Sequence, residues 1–230
     1  MRFIFKNSII LCALAYFTWY NYGSDQSDTD LIIPYRIYSE RTGEETKERT
    51  WELRIENDLH YVTSVLESNR YETITNPKGD TLEWSAKEED FSSVGIREGC
   101  KIKLDVKTSG ESTAHEFEVG DQLWFQSINY SLEIFAASDQ EEIRFVTILP
   151  KKHELYGMKA EKKGLESIRI NNEEVSALRV RVRLTGWRSG MWKCDYWFDA
   201  NDKKYIAYKG RNGPPGTPVT YIGLLKLSED

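Results

Sequence analysis

Residues 177–210 read ALRVRVRLTGWRSGMWKCDYWFDANDKKYIAYKG and contain three runs in which apolar and polar side chains alternate. Leucine or valine alternates with arginine in 178–184. Aromatic residues or cysteine alternate mainly with charged residues in 192–198, and a third run covers 204–209. Successive side chains of a strand point to opposite faces, so each run predicts a strand with one apolar and one mostly charged face.

The first of these strands carries a ladder of three arginines, Arg179, Arg181 and Arg183. The ladder has two interpretations. It could bind an anion on the sheet face, or it could pair across strands with acids such as Glu166 or Asp195. The pairing is favoured because opposite charges on neighbouring strands are a common way to cover an exposed sheet face.

Outward from this stretch, similar short runs recur from Leu31 to Leu227. They are separated by turn signals such as Asn57-Asp58, Asn76–Asp80 and Asn171-Asn172, with a further break expected at Gly164. Short strands at this spacing predict a mainly β protein: a single antiparallel curved sheet, open barrel or sandwich of roughly twelve strands. Residues 31–230 are expected to form one domain.

One segment departs from the alternation. Between Asp121 and Ala137, apolar residues follow at steps of four, four and three, which places them on one face of a helix. They are Trp124, Ile128, Leu132 and Phe135. The sequence therefore predicts one mid-chain helix packed on the sheet, with Asp121 as its N-cap.

Composition excludes several classes of function. The 230 residues carry a net charge of −6, and 13% of them are aromatic. An acidic chain repels phosphate backbones, so no nucleic-acid partner is expected. The same charge offers no obvious docking surface for anionic lipid heads.

The N-terminus determines the expected location. Arg2 and Lys6 precede an apolar run, and a polar acidic stretch follows it, which is the layout of a secretory signal. Residues 1–23 are interpreted as a signal peptide or, if they are not cleaved, as a membrane anchor over residues 3–22, and residues 24–30 as a flexible acidic linker. The protein is expected to be exported to the periplasm or cell envelope, with membrane contact only through an uncleaved N-terminal segment.

An exported protein can keep disulfides, and Cys100 and Cys194 could form one. The alternative is two separate buried thiols, which pack as small hydrophobic groups.

No motif for catalysis, metal binding or cofactor binding stands out. His60, His115 and His153 lack the spacing of metal ligands. Residues 186–190 resemble a nucleophile elbow, but strands flank them on both sides, so a hairpin turn is predicted. No catalytic residue, metal site or cofactor is therefore assigned.

The candidate ligand-binding residues are the aromatic residues near the 187–197 hairpin together with the N-terminal part of the predicted helix. Tryptophan offers a large contact area with a polar handle, although core packing is the alternative for each of them. The candidates are Trp124, Ile128, Trp187, Trp192, Tyr196 and Trp197.

The layout resembles an uncharacterised family of bacterial envelope proteins. The resemblance covers about residues 115–225 and rests on Gly120-Asp121 before the helix, the strand–Asn-Asn–strand unit at 168–182, and Trp197-Phe-Asp-Ala-Asn-Asp, which leads into Tyr205-Ile-Ala-Tyr and Pro218-Val219. That family is similar in architecture to the open half-barrels of lipoprotein carriers, in which a curved sheet wraps a helix. The resemblance implies no catalytic residues.

Three hypotheses about function follow. The first is a non-enzymatic envelope protein that binds an apolar small molecule or lipid between the curved sheet and the helix. The second is an interaction or assembly module that contacts an envelope protein through its Trp-rich hairpin. The third, an enzyme whose site is assembled from scattered residues, is the least favoured.

Overall fold

The computed structural model describes residues 31–42, 45–211 and 217–227, and all their strands belong to one sheet. The predicted fold class, mainly β with one mid-chain helix, is confirmed for these residues, which contain fifteen strands instead of roughly twelve. The strands are β1 Leu31–Thr42, β2 Glu45–Glu56, β3 Leu59–Leu66, β4 Asn69–Thr75, β5 Thr81–Glu88, β6 Phe91–Glu98, β7 Lys101–Thr108, β8 Ser112–Glu118, β9 Leu123–Trp124, β10 Glu142–Leu149, β11 Glu154–Ile170, β12 Glu173–Leu184, β13 Lys193–Asp199, β14 Tyr205–Arg211 and β15 Val219–Leu227.

The strand order is β8-β7-β6-β5-β4-β3-β2-β1-β15-β14-β13-β12-β11-β10-β9. Neighbours are antiparallel except β9, which runs parallel to β10. Most neighbours are consecutive along the chain, and several of them are joined by two-residue turns. At Asn57-Asp58 and Asn171-Asn172 all four residues have positive φ, as the turn chemistry of Asn and Asp predicts.

Gly164 does not end a strand, contrary to the expectation of a break. It lies inside β11 at φ +91°, where the pairing with β12 shifts register between Lys162 and Leu165. Glycine adopts this positive φ without steric cost, so the chain bulges and continues. The result is one long strand where the sequence predicts two.

The sheet is rolled up so that its two arms, the strands towards β8 and the strands towards β9 in the strand order, overlap. Phe145 of β10 faces an inner core around the helix, whereas Val146 and Ile148, on the opposite face of β10, pack in one cluster with Trp84 and Leu104 of the other arm. The inward side chains of β5–β7 therefore cover the outer face of β9 and β10. This second cluster is called the overlap core. Its buried members are Trp84, Ala86, Phe91, Ile102, Leu104, Val106, Val119, Trp124, Val146 and Ile148.

The helix, α1, comprises Ile128–Ala137 and lies inside the roll. It begins seven residues later than the expected N-cap Asp121, because Leu123 and Trp124 form the parallel strand β9 instead. Trp124 does not belong to the apolar face of the helix. It is buried in the overlap core instead. The actual N-cap, Ser127, makes no side-chain capping hydrogen bond.

Antiparallel pairing places successive turns at alternate ends of the roll. The end at which β1 begins, called the entry end, also carries the turns at 57–58, 76–80 and 171–172. The opposite end, called the tip end, carries two short 3-10 turns, Pro150–Lys152 between β10 and β11 and Gly186–Arg188 between β12 and β13.

The two cysteines considered for a disulfide are both free. Cys100 is exposed in the turn between β6 and β7, not on the apolar side of a strand, and Cys194 is buried on β13. The possible disulfide is therefore not formed. Cys194 alone fits the alternative of a buried thiol, and burial raises its pKa.

Residues 1–30 lie outside the described residues, and with them the predicted signal or anchor (1–23, with the anchor at 3–22) and the linker (24–30). Within the described ranges, every helix is too short or too polar to cross a membrane.

Candidate functional site

The predicted ligand-binding residues lie in four separate places. Trp124 is enclosed in the overlap core, whereas Tyr196 belongs to the inner core and Ile128 and Trp192 are partly buried against it. Trp187 stands exposed at the tip end, and Trp197 lies on the outer face of β13. These side chains therefore do not form one groove.

Trp197 occupies the outer face of β13, opposite to the buried Cys194, Tyr196 and Phe198, as strand parity predicts. Its indole Nε1 donates a hydrogen bond to Oε1 of Glu166 at 2.6 Å. The residue is half-buried by the outer face of the sheet and has no part in the interior.

The arginine ladder is paired across strands. Arg181 binds Asp195 at 2.8 Å, Arg179 binds Glu166 at 3.1 Å, and Arg183 binds Glu161 at 2.7 Å. The favoured interpretation is therefore confirmed for all three arginines. Their charges are already used within the sheet, which removes the ladder as an anion site.

The interior contains a polar group of residues that the sequence did not reveal. Arg36 and Tyr38 lie two residues apart on β1, so both point into the roll, and Arg36 is only 1% exposed. Its guanidinium donates two hydrogen bonds to the carboxylate of Glu133 on α1, Nη1 to Oε2 at 2.8 Å and Nη2 to Oε1 at 3.1 Å. This bidentate pair ties the helix to the sheet.

Glu133 has a third donor. The backbone amide of Tyr205 on β14 donates to Oε2 at 2.9 Å, so the carboxylate links α1 to both β1 and β14. Burial by itself would lower the pKa of Arg36, but the hydrogen bond and the charge of Glu133 raise that pKa above its ordinary value. The guanidinium is therefore charged at every physiological pH.

Beside this pair, tyrosines line the interior. The Tyr38 hydroxyl donates to the backbone oxygen of Tyr205 at 3.1 Å, and the rings of Tyr196 and Tyr208 meet edge to face with centres 4.9 Å apart. Burial raises the pKa of all four of these phenols, so they are neutral. The lining thus combines apolar rings and hydroxyl groups with two ion pairs, the buried Arg36–Glu133 and the less buried Arg49–Glu40.

At the other side of the helix, the hydroxyl of Tyr130 is hydrogen-bonded to Nδ1 of His60 on β3. Burial lowers the pKa of His60, against a smaller opposing effect of Asp58, which favours the neutral imidazole. The pKa of Tyr130 is raised, again chiefly by burial. A phenol that resists ionisation next to a weakly basic imidazole is a structural contact and supplies no activated nucleophile.

Two buried N–H groups in this region have no acceptor among the described residues, the Nε of Arg36 and the indole Nε1 of Trp51. They lie close together, because the guanidinium carbon of Arg36 is 4.8 Å from the centre of the Trp51 ring. The Trp51 ring in turn lies 5.7 Å from that of Tyr130 on the helix. Arg36, Tyr38, Trp51, Tyr130 and Glu133 are called the inner polar cluster.

One sequence signal could have revealed this cluster. Glu133 is the only acidic residue between Asp121 and Asp139, so it is a lone charge in an otherwise apolar or neutral segment. Nothing comparable marks Arg36, because the partners are 97 positions apart and the register of β1 shifts next to Arg36.

The remaining features of the described residues favour no other chemistry. No three of the described His, Cys, Asp or Glu residues are arranged to hold a metal ion. A groove of about 350 Å³ lies against β2–β5, and charged side chains dominate its walls, which does not suit an apolar ligand. They include Glu52, Arg54, Arg70, Glu72 and Glu83.

No protein-family model and no curated protein matches the sequence. Among solved structures, the chain is similar to a β-barrel-like protein of a domain of unknown function, DUF1849, from Brucella abortus, at 8% identity and a TM-score of 0.59, over 87% of this chain and 98% of that one. The resemblance expected for residues 115–225 thus extends over most of the chain, at the level of the fold.

Two further structures are more distant. The hypothetical lipoprotein YmcC from Escherichia coli aligns over 90% of this chain and 92% of its own, at 12% identity and a TM-score of 0.39. A LolA superfamily protein from Nitrosomonas europaea aligns over 88% and 87%, at 6% identity and a TM-score of 0.23. At 8% identity, the Brucella abortus structure shows a shared fold alone.

Proposed function

We propose that this chain is an exported, non-enzymatic envelope protein that binds a lipid or another apolar molecule between α1 and the inner face of the sheet, at the inner polar cluster. The observation that carries the proposal is the pair of unpaired donors, Arg36 Nε and Trp51 Nε1, both buried against the helix. A ligand with an apolar body and one acceptor oxygen would complement this arrangement.

The energetic argument starts from the cost of leaving these groups unpaired. A buried donor without an acceptor costs about 1–3 kcal/mol, and native proteins rarely retain one without a reason. An ester or carboxylate oxygen between Arg36 and Trp51 would offset that cost. The apolar part of the ligand would add about 0.8 kcal/mol for each buried methylene group.

The surroundings suit such a ligand. Side chains of the inner core next to the cluster are aliphatic or aromatic, and the nearby tyrosines are neutral. Ile128 and Ile134 of α1 are only partly buried against this core. Because the helix fills the space next to the cluster, the ligand would enter by displacing α1. The polar contacts that hold α1 to the sheet include Arg36–Glu133 and Tyr130–His60.

Export rests on the N-terminal sequence alone, since the basic start, apolar run and acidic exit within residues 1–30 fit a signal or an anchor. Whether residues 1–23 are removed is tested by N-terminal sequencing of the protein recovered from the envelope. Recovery of the complete protein in the cytosol would contradict export.

Native mass spectrometry of the full chain purified from its own envelope tests ligand binding. We expect a co-purifying lipid mass in the wild-type protein and a reduced occupancy in Trp51→Phe, which keeps an aromatic ring but removes the Nε1 donor. Trp84→Phe in the overlap core is the matched control and should retain the ligand. A folded wild-type protein without any bound mass, or equal occupancy in both variants, would refute the proposal.

The exposed side chains of the tip end favour a second function for the same chain, namely that of an interaction module. Trp187 is 81% exposed and Met191 is 58% exposed, which is unusual for large apolar side chains in a protein with two buried cores. Such a surface is typical of contact with another molecule.

A further inference from the structure

One surface at the tip end of the roll combines exposed apolar side chains with basic residues. The turn region 186–193 contains Trp187, Met191 and two basic residues, and the neighbouring region 149–153 contains Leu149 and two lysines. Neither region contains an acidic residue, although the whole chain has 37 acids against 31 basic residues. These two regions are therefore opposite in charge to the chain as a whole, although acids in other segments, such as Glu89, Asp90 and Glu154, lie at the same end of the roll.

The two regions are connected in space through β11. The backbone amide of Thr185 donates to the oxygen of Gly157 at 2.9 Å, and the guanidinium of Arg188 lies 5.7 Å from the ring centre of Tyr156. Arg188 also lies 4.9 Å from the centre of the Trp187 ring. Arg188 thus contacts the exposed Trp187 and also Tyr156, which lies near the start of β11.

We infer that this surface, formed by residues 149–153 and 186–193, docks on the interface of an anionic lipid bilayer. Tryptophan has an apolar body and a polar N–H, and it is enriched where hydrocarbon meets lipid headgroups. Lysine and arginine next to it are attracted to the negative surface and keep their charged ends in the headgroup layer. Met191 and Leu149, 58% and 42% exposed, supply further apolar area at the same end.

The charges of the patch favour a bilayer over an apolar partner protein. Lys152, Arg188 and Lys193 are exposed, and none of the described acids forms an ion pair with them, whereas Lys151 is paired with Glu88 of β5. Cations on this surface, of which Arg188 lies over the exposed Trp187 ring, complement phosphate headgroups. Since an anionic bilayer attracts these cations and repels the acids elsewhere in the chain, including those in the turn 89–90 at the same end, the protein is expected to face the membrane with residues 149–153 and 186–193.

The orientation has a consequence for the N-terminal segment. β1 begins at the entry end, so the chain enters the sheet at the end opposite to the docking surface. Contact through Trp187 is therefore a separate event from any contact made by residues 1–23, and the two contacts can be distinguished by substitutions at the tip.

Co-sedimentation of the full chain with vesicles tests the inference. We expect binding to phosphatidylcholine vesicles that contain phosphatidylglycerol to exceed binding to pure phosphatidylcholine vesicles, and to weaken as salt is added. Lys152→Glu and Lys193→Glu should each lower the affinity about fivefold or more, and Trp187→Ser should lower it on both types of vesicle.

The matched control for Trp187→Ser is Leu165→Ser. Leu165 is 64% exposed but lies further along β11 towards the entry end, so its loss should leave vesicle binding unchanged. Vesicle binding by Trp187→Ser equal to that of the wild type would overturn the inference and assign membrane contact to the N-terminal segment. Loss of a discrete protein partner in Trp187→Ser, with vesicle binding intact, would overturn it in favour of a protein interface. A correctly folded variant is verified in each case by its unchanged thermal unfolding.

Discussion

Gly210 of β14 lies directly against the phenol of Tyr208 on the same strand. A β-carbon at position 210 would overlap the Tyr208 hydroxyl and would lie 2.6 Å from the β-carbon of Cys194, which is closer than two such carbons can approach. The absence of a side chain at Gly210 therefore allows Tyr208 to fold along its own strand into the inner core. This close approach, and not a positive φ, is what requires glycine here.

Gly210→Ala should consequently destabilise the protein by about 3 kcal/mol, because the buried phenol must leave its position. Chemical denaturation of the purified chain measures the change in unfolding free energy. Gly223→Ala on the neighbouring strand β15 is the control, since no atom lies within 4 Å of the β-carbon it would add. We expect it to change stability by less than about 0.5 kcal/mol. Equal effects of the two substitutions would contradict the proposed contact.

The Arg36–Glu133 pair should matter more than any surface ion pair. Glu133→Gln leaves a charged guanidinium buried without a counter-ion, and we expect a loss of about 3 kcal/mol in the free energy of unfolding. Glu72→Gln breaks a pair of the same chemistry with Arg70, in which both side chains are about half exposed, and should cost less than about 1 kcal/mol. Urea titrations of both variants measure these losses. A loss for Glu133→Gln as small as that for Glu72→Gln would show that the Arg36–Glu133 pair is not needed to hold the helix against the sheet.

His60 should make the protein less stable in acid. Its pKa in the folded protein is lowered by burial, so the unfolded chain binds the proton more readily. The stabilisation by the neutral imidazole is complete above the unfolded pKa of about 6.5 and is lost as the pH falls through that value towards the lower folded pKa.

The measurement is the unfolding free energy of wild type and His60→Gln between neutral and mildly acidic pH. Glutamine can still hydrogen-bond Tyr130 but does not titrate, so the variant should show a shallower fall on acidification. A fall as steep in His60→Gln as in the wild type would assign the acid sensitivity to other groups.

Local patterns in the sequence were sufficient to predict much of the sheet. The alternation in 178–184 places the arginines on the outer face, and cross-strand neighbours such as Asp195 follow from a short hairpin. Turn residues such as Asn171 and Asn172 adopt the positive φ that their side chains favour. These features depend on residues close together in the chain, where side-chain parity and turn chemistry determine the outcome.

Long-range packing accounts for what the sequence did not reveal. Trp124 fits a helical spacing, but in the structure it belongs to strand β9. The overlap of the two arms places the Trp124 ring 3.0 Å from the position that a β-carbon of Gly95 would occupy. Arg36 and Glu133 are brought together only when the whole sheet has rolled around α1. The residue pattern around Arg36 and the pattern around Glu133 are each local, so neither predicts that these two side chains come into contact.

Trp197 and Phe198 offer the most direct test of the face assignment on β13. Phe198 is fully buried in the inner core, whereas Trp197 is half-buried on the outer face and contacts Glu166. We expect Phe198→Ala to cost about 3–5 kcal/mol, because it leaves a cavity in a packed core. Trp197→Ala should cost about 1 kcal/mol, since neighbouring side chains and water can occupy the vacated surface. The two variants differ by one position along the strand, so comparison of their denaturation midpoints isolates the effect of the face. A larger loss for Trp197→Ala would show that the outer face of β13 is covered, and would restore Trp197 as a candidate contact residue.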